Sequence, residues 1–254
     1  MRIAITGARG LVGSALARRY PDAVPLTHRD LDITDRDAVA RVIREFDLVF
    51  NCAVIGVDEC EQDRELARAV NVDGPANLAE AAKRIVHFST NYVFAGDEEK
   101  FYSVEDEALP LNVYGATKLE GERAVLARNP NALVVRTSWV YGAGKDNFLS
   151  TVGARMERGE RVRAIGDLFA SCTYVEDLVE AVAKLLGKRG VRHVVNEGVL
   201  SYADFARECG DPSLIEVVSE RDAMRAPRPR YTPLRNSLPM RDWRSALRDY
   251  RFAA

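Results

Sequence analysis

The chain has 254 residues, 47% of them hydrophobic, enough to bury a sizeable core as one large domain or as a main domain with a smaller lobe. Its 36 basic and 38 acidic side chains leave a formal net charge of -2, which argues against a general nucleic-acid-binding surface. No run of roughly 18 or more apolar residues occurs and the N-terminus enters a strand directly, so a cytoplasmic protein with no membrane partner is expected. Cys52, Cys60, Cys172 and Cys209 form no C-x-x-C pair, and His28, His87 and His193 are scattered, so buried thiols and no metal site are expected.

R-I-A-I-T-G-A-R-G-L-V-G is a short apolar strand, Ile3 to Ile5, followed at once by Gly7, Gly10 and Gly13 and then by the helical pattern S-A-L-A-R-R-Y, which Pro21 ends. Glycines there permit a tight turn, let the backbone approach a pyrophosphate and bring the helix close to the sheet, while the helix N-terminus offers N–H groups. Alone, such a turn also reads as punctuation between strand and helix. A second strand, Val24 to Leu26, precedes Arg29, Asp30 and Asp32. An acid at this distance hydrogen-bonds a ribose, whereas an Arg suits a 2′-phosphate. No acid directly ends the strand and Arg29 can answer a phosphate, which favours NADPH with NADH also accepted; Arg29 reads equally as a solvated turn residue.

Residues 34 to 45 form an amphipathic pattern capped by Thr34 or Asp35, with Ala38, Val39, Val42 and Ile43 on one face. A third strand, L-V-F-N-C-A, ends in Cys52 and Ala53, and residues 70 to 82 read as a helix carrying Asn71. The next strand-like run, R-I-V-H-F-S-T-N-Y-V-F, places the hydroxyls of Ser89 and Thr90 just past its apolar residues, where open α/β sheets contact ligands. The acidic segment 96 to 110 lies between Thr90 and Tyr114 and is expected to cover the site. N-V-Y-G-A-T-K-L-E-G-E then sets Tyr114 and Lys118 four positions apart on one helix face. A phenol that exchanges a proton near neutral pH starts from a pKa of about 10, and a neighbouring ammonium is the simplest remedy.

With G-x-x-G-x-x-G at Gly7, Gly10 and Gly13 and Y-x-x-x-K at Tyr114 and Lys118, the chain resembles the extended short-chain dehydrogenase/reductases. S-T-N-Y-V-F at 89 to 94, P-L-N-V-Y-G-A-T-K-L-E-G-E at 110 to 122 and R-T-S-W-V-Y-G at 136 to 142 look like the corresponding blocks of the dTDP-4-dehydrorhamnose reductase family. R-P-R-Y-T-P-L at 228 to 234 resembles that family's substrate-side segment more weakly. The resemblance implies an α/β fold, a Rossmann-type doubly wound parallel sheet with a smaller C-terminal substrate lobe. Residues 1–140 would form the dinucleotide-binding domain, with 171–198 returning to it, and residues 141–254 mainly the substrate-binding lobe. A strand H-V-V-N at 193 to 196 and a helix from Ser201 are expected to complete the small lobe.

The implied activity is reduction of the C4 ketone of a nucleotide-linked 4-keto-6-deoxysugar. In it Tyr114 donates the proton, Lys118 depresses the phenol pKa and holds the nicotinamide ribose, and Thr90 bonds the carbonyl oxygen or the phenol. Cofactor contacts are implied at Gly7, Arg9, Gly10, Leu11, Val12, Gly13, Arg29, Asp32, Ile33, Cys52, Ala53, Val54 and Ser89, besides Tyr114 and Lys118. Substrate contacts are implied at Thr90, Asn91, Tyr92, Trp139 and Arg228, and a homodimer is allowed for. Asn91 replaces the family's usual acid, Ile55 stands where an aromatic or hydroxyl residue is common, and the 168–172 segment lacks the usual Gln, Gly and Pro. The same blocks also resemble the regulatory beta subunit of methionine adenosyltransferase, a non-catalytic dinucleotide-binding protein, and nucleotide-sugar epimerases.

Overall fold

A computed structural model describes residues 1–253, with side chains up to Tyr250. Its centre is a six-stranded parallel sheet of β1 (Ile3–Thr6), β2 (Val24–Leu26), β3 (Leu48–Asn51), β4 (Ile85–Thr90), β5 (Leu133–Thr137) and β6 (Gly190–His193), in the spatial order β6-β5-β4-β3-β1-β2. Strands buried on both faces need continuous apolar runs, which is how L-V-F-N and I-V-H-F-S-T read. Alternate side chains serve opposite layers. Ile3 and Ile5 pack with Leu16 of helix α1 (Leu11–Arg19), while Ala4 and Val49 pack with Val39 and Ile43 of α2 (Arg36–Ile43). Helix α3 (Val113–Arg128) contributes Val125 to the α2 side, and α4 (Val175–Leu185) lays Val175, Leu178 and Val182 on the α1 side.

From β1 the chain passes to β2 on one side and to β3 on the other, so the strand order reverses there. The crevice outside the carboxyl ends of β1 and β3 is where such sheets bind ligands. Both loops that line it, 7–10 and 52–55, therefore face a common opening.

A second apolar core gathers Tyr141, Leu149, Val152, Phe205 and Trp243, away from the sheet. Short parallel pairs stitch it together: Val140–Tyr141 with Thr173–Tyr174, Val162–Ile165 with Ile215–Val218, and Phe169–Ala170 with Tyr231–Thr232. The strand expected at 193 to 196 is displaced. It forms at Gly190–His193, pairs parallel with β5 and extends the large sheet instead of completing the small lobe. The β-branched pair in H-V-V-N drew the sequence reading three residues too far. In the structure Val194 and Val195 lie just past the strand end, buried in two different apolar clusters. No helix among the described residues is long and apolar enough to cross a membrane.

Candidate active site

The turn after β1 is built on close backbone approach. Gly7 has φ +64°, and a Cβ there would stand 2.6 Å from Ala53 N and the Cys52 carbonyl group. The conformation and the space both require glycine. Gly10 N–H donates to the Gly7 carbonyl at 2.9 Å, and Gly10 then becomes the N-cap of α1 with no side chain capping it. The first amides of α1, from Leu11 and Val12 to Gly13, are thus left for an anion at the positive end of the helix dipole. A cavity of about 520 Å³ opens beside this turn, with Leu31, Ile33, Val54 and Ile55 as apolar wall and Arg9, His28 and Asp32 at its polar end. An uncapped helix start at a glycine cradle, beside an apolar slot with a basic rim, fits a dinucleotide.

Several implied cofactor residues meet here: Gly7, Arg9, Gly10, Asp32, Ile33, Cys52, Ala53 and Val54 all line the cavity. Asp32 Oδ1 accepts from Thr34 N–H at 2.9 Å and from the Thr34 hydroxyl at 2.8 Å, which holds its pKa below the ordinary carboxylate value. Arg29 is exposed and lies off the wall, whereas Arg9, from within the glycine turn, lies on it. His28, Leu66, Val70 and Lys145 also line the cavity and were not singled out from sequence as cofactor contacts; Leu66, Val70 and Lys145 reach it only through tertiary packing.

The second cavity, about 230 Å³, lies at the carboxyl ends of β4 and β5 and brings together Thr90, Asn91, Tyr92, Tyr114 and Trp139. Tyr114 sits in the first turn of α3, whose N-cap Asn112 accepts from Gly115 N–H at 2.8 Å and donates to the Pro227 carbonyl at 2.9 Å. A Cβ at Gly115 would stand 2.1 Å from the Tyr92 carbonyl oxygen, so glycine lets this helix rest on the 3-10 turn Asn91–Val93. The Tyr92 ring then meets the Tyr114 ring edge-on, centroids 6.0 Å apart. Gly115→Ala is expected to lower stability by roughly 1–3 kcal/mol, as overpacking does, and to lift Tyr114 off its place; thermal unfolding and turnover measured together check this.

Burial raises the Tyr114 pKa above its ordinary value, opposed by the hydrogen bond with Thr90. The expected depression by Lys118 is not what the geometry gives. Lys118 Nζ donates to the Phe88 carbonyl at 2.6 Å and lies 3.4 Å from His87 Nε2, so its charge is turned towards β4. Burial pushes the Lys118 pKa itself down to about 8, against the opposing pull of Glu122. Tyr114 therefore stays a phenol at neutral pH, in the proton-donating form.

Other implied residues are tied within the chain. The Ser89 hydroxyl, expected at the cofactor, donates to Glu122 Oε1 at 2.5 Å, and Glu122 is paired with Arg136 at 2.7 Å in a fully buried cluster. Asn91 donates to the Thr232 hydroxyl at 2.7 Å and accepts from Thr90, so the amide at the family's acidic position anchors the tail segment. Arg228 donates to Asp58 Oδ2 at 3.1 Å and also bears on the Tyr92 phenol, beside Trp139. Trp139 is the one non-glycine residue with positive φ among the described residues, at 37°, and its indole lies 4.1 Å from the Tyr202 ring, tilted by 33°. Backbone strain of this kind costs about 1–3 kcal/mol and clusters at ligand sites. Tyr202 was not singled out from sequence.

The segment 96–110 does not cover this cavity, since none of its residues lines it. Tyr102 stacks on Phe94 at 4.5 Å, its N–H donates to the Pro233 carbonyl, and its own carbonyl accepts from Arg235 N–H. The tail draws the segment away, while Asp106 closes a local turn onto Ser103 N–H.

The model of the family described as RmlD substrate binding domain matches residues 1–254. A dTDP-4-dehydrorhamnose reductase of Mycobacterium tuberculosis is 44% identical over 276 residues, covering 97% of this chain and 91% of that protein. The chain belongs to the dTDP-4-dehydrorhamnose reductase family. The reductase of Mycolicibacterium smegmatis is 41% identical over 275 residues, covering 98% of this chain and 84% of its own length. The crystal structure of dTDP-4-dehydrorhamnose reductase from Bacillus anthracis in complex with NADP superposes with a TM-score of 0.93 at 32% identity, covering 100% of this chain and 99% of that one. Membership of the dTDP-4-dehydrorhamnose reductase family agrees with the doubly wound sheet and with a nicotinamide dinucleotide as cofactor.

Proposed function

We propose that this chain reduces the C4 ketone of a dTDP-linked 4-keto-6-deoxysugar, the reductive step of dTDP-L-rhamnose formation, with NADPH preferred and NADH accepted. The observation that carries it is the Thr90–Tyr114 hydroxyl pair facing one cavity beside the dinucleotide turn, in a chain related over nearly its whole length to reductases. When bound, the reduced nicotinamide supplies the hydride. Tyr114 gives its phenolic proton to the forming alkoxide oxygen, so charge does not build up unaided. Thr90 holds that phenol, and its own hydroxyl is oriented by accepting from Tyr92 N–H at 3.1 Å. Trp139 and Tyr202 offer flat apolar surface to a deoxysugar. Arg228, 6% exposed at its side chain, stands at the edge of that aromatic group for a pyrophosphate.

Thr90 and Tyr114 facing one cavity support a reductase over a regulatory subunit that keeps only the fold. The assay is NADPH oxidation by purified protein given the dTDP-4-keto-6-deoxysugar generated in situ. Sugar-dependent oxidation is expected; cofactor binding without any turnover would sink the proposal.

Cofactor preference rests on Arg9 instead of Arg29, because only Arg9 faces the cavity. It also lies close enough to Asp30 to help lower that carboxyl's pKa. Loss of a charged hydrogen bond costs about 1.5–3 kcal/mol, so Arg9→Ala is expected to raise the NADPH KM roughly tenfold and leave the NADH KM nearly unchanged. Arg29→Ala is expected to change neither, and steady-state kinetics with both cofactors check the pair.

A further inference from the structure

The segment 138–147 touches both cavities: Ser138, Trp139 and Val140 line the smaller one, and Lys145 lines the dinucleotide slot. Its ends are fixed at the second apolar core. Val140 and Tyr141 pair with Thr173 and Tyr174, and Asn147 caps the helix Phe148–Glu157, accepting from Ser150 N–H at 2.9 Å and donating to the Val140 carbonyl at 3.0 Å. Gly142 N–H donates to Ser150 Oγ at 3.1 Å, which closes the loop on its own helix. Between these ties Gly144 has φ +124°, and a Cβ there would stand 2.7 Å from Ser14 Oγ of α1. Glycine alone takes that conformation without strain and lets the loop lie this close to the helix. The loop thus leaves the second core and rests on α1, against the large sheet.

Lys145 follows at once. Ser14 lies one turn along α1 from Gly10, roughly 5 Å along the axis, and its N–H donates to the Gly10 carbonyl. Lys145 lines the same cavity as Gly7 and Gly10, so its four-carbon stem runs beside the amides at the start of α1. The other cation at this contact is already paired: Arg18 Nη1 lies 3.8 Å from the same Cβ position, and its guanidinium holds Glu176 at 2.6 Å. Lys145 is exposed, and its ammonium has no partner among the described residues. The slot has two polar ends. Arg9, His28 and Asp32 lie towards β2, where a ribose and its 2′-phosphate are read, whereas the glycine turn and the α1 start take a pyrophosphate. We propose that Lys145 binds the pyrophosphate of the dinucleotide alongside the α1 amides, so that the bound cofactor ties the second core to the sheet. An ammonium on a flexible stem meets a phosphate as a point charge, and this one has no partner in the chain to give up.

The proposal rests on the reductase reading only for the identity of the dinucleotide, and its test uses no sugar. Titration calorimetry of the full-length chain with NADP+ and with NAD+ is expected to show Lys145→Met raising both dissociation constants about tenfold, the size of one lost charge-assisted hydrogen bond. Lys145→Arg, which keeps the charge, is expected to recover most of the affinity. An equal loss for the two dinucleotides marks the pyrophosphate, since both carry it. Unchanged affinities in Lys145→Met overturn the proposal, and so does a loss confined to NADP+, which would put the ammonium at the 2′-phosphate with Arg9. In the unaltered chain, reductive methylation followed by mass spectrometry is expected to find Lys145 protected by saturating NADP+. Lys188, just before the amino end of β6, serves as the reference that cofactor leaves equally reactive. Lys145 modified as fast with cofactor as without it also overturns the proposal. Tight dinucleotide binding with no sugar reduction would count against the reductase reading alone.

Discussion

Tyr114→Phe is expected to lower turnover by about a hundredfold or more, the usual contribution of a positioned general acid, while dinucleotide affinity stays within about twofold. The reason is local. The phenol faces the small cavity shared with Thr90, not the slot beside Gly7, so losing it removes a proton donor and leaves the cofactor walls intact. Its ring packs edge-on against Tyr92, a contact that phenylalanine keeps, so the fold is expected to survive. Stopped-flow reduction and a fluorescence titration with NADPH separate the two effects. Near-normal turnover would remove Tyr114 from proton transfer, and lost cofactor binding would mean that it serves the other cavity.

Glu122→Leu is expected to cost about 3–5 kcal/mol of stability, as removing one partner of a buried ion pair does. That corresponds to a fall in Tm on the order of 10 °C for a chain of this size. Glu122 is 2% exposed and Arg136 5%, with contacts at 2.7 and 2.9 Å, so the change strands a guanidinium among apolar neighbours. The Arg136 guanidinium lies over the Phe94 ring at 5.2 Å in a buried position, where a charge without its partner is costly. The double change Arg136→Met with Glu122→Leu is expected to recover most of the loss, since neither charge is then left alone. Thermal unfolding of the two variants decides it. A single-variant loss below about 1 kcal/mol would show the pair to be solvated.

The residues proposed for the reaction stand out in the sequence because their signals are local. Tyr114 and Lys118 share a helix face by spacing alone, Thr90 ends an apolar strand, and Gly7, Gly10 and Gly13 sit between a strand and a helix whatever the rest of the chain does. Residues that reach a site through tertiary packing gave no such signal. Arg9 and Arg29 are equally basic on the page, and only the turn geometry aims one of them at the cavity. Lys145 and Tyr202 approach from segments far along the chain. The Ser89 hydroxyl is taken by Glu122, on the next helix, which nothing local announces, while the residue itself lines the smaller cavity. The acidic run 96–110 suggested a cover over the site, yet it carries a buried aromatic, Tyr102, whose stacking on Phe94 decides where the segment lies. An aromatic pair, Phe101 and Tyr102, within a charged stretch was the available clue that the segment has an anchor of its own.

The most direct test of the central claim is the fate of the hydride. NADPH deuterated at the transferable position of the nicotinamide C4 is supplied with the dTDP-4-keto-6-deoxysugar, and the sugar product is examined by NMR and mass spectrometry. The account predicts one deuterium per product, on sugar C4, in proportion to NADPH consumed. Conversion of the sugar with no deuterium at C4, or deuterium at another carbon, would contradict it and favour chemistry of the epimerase kind.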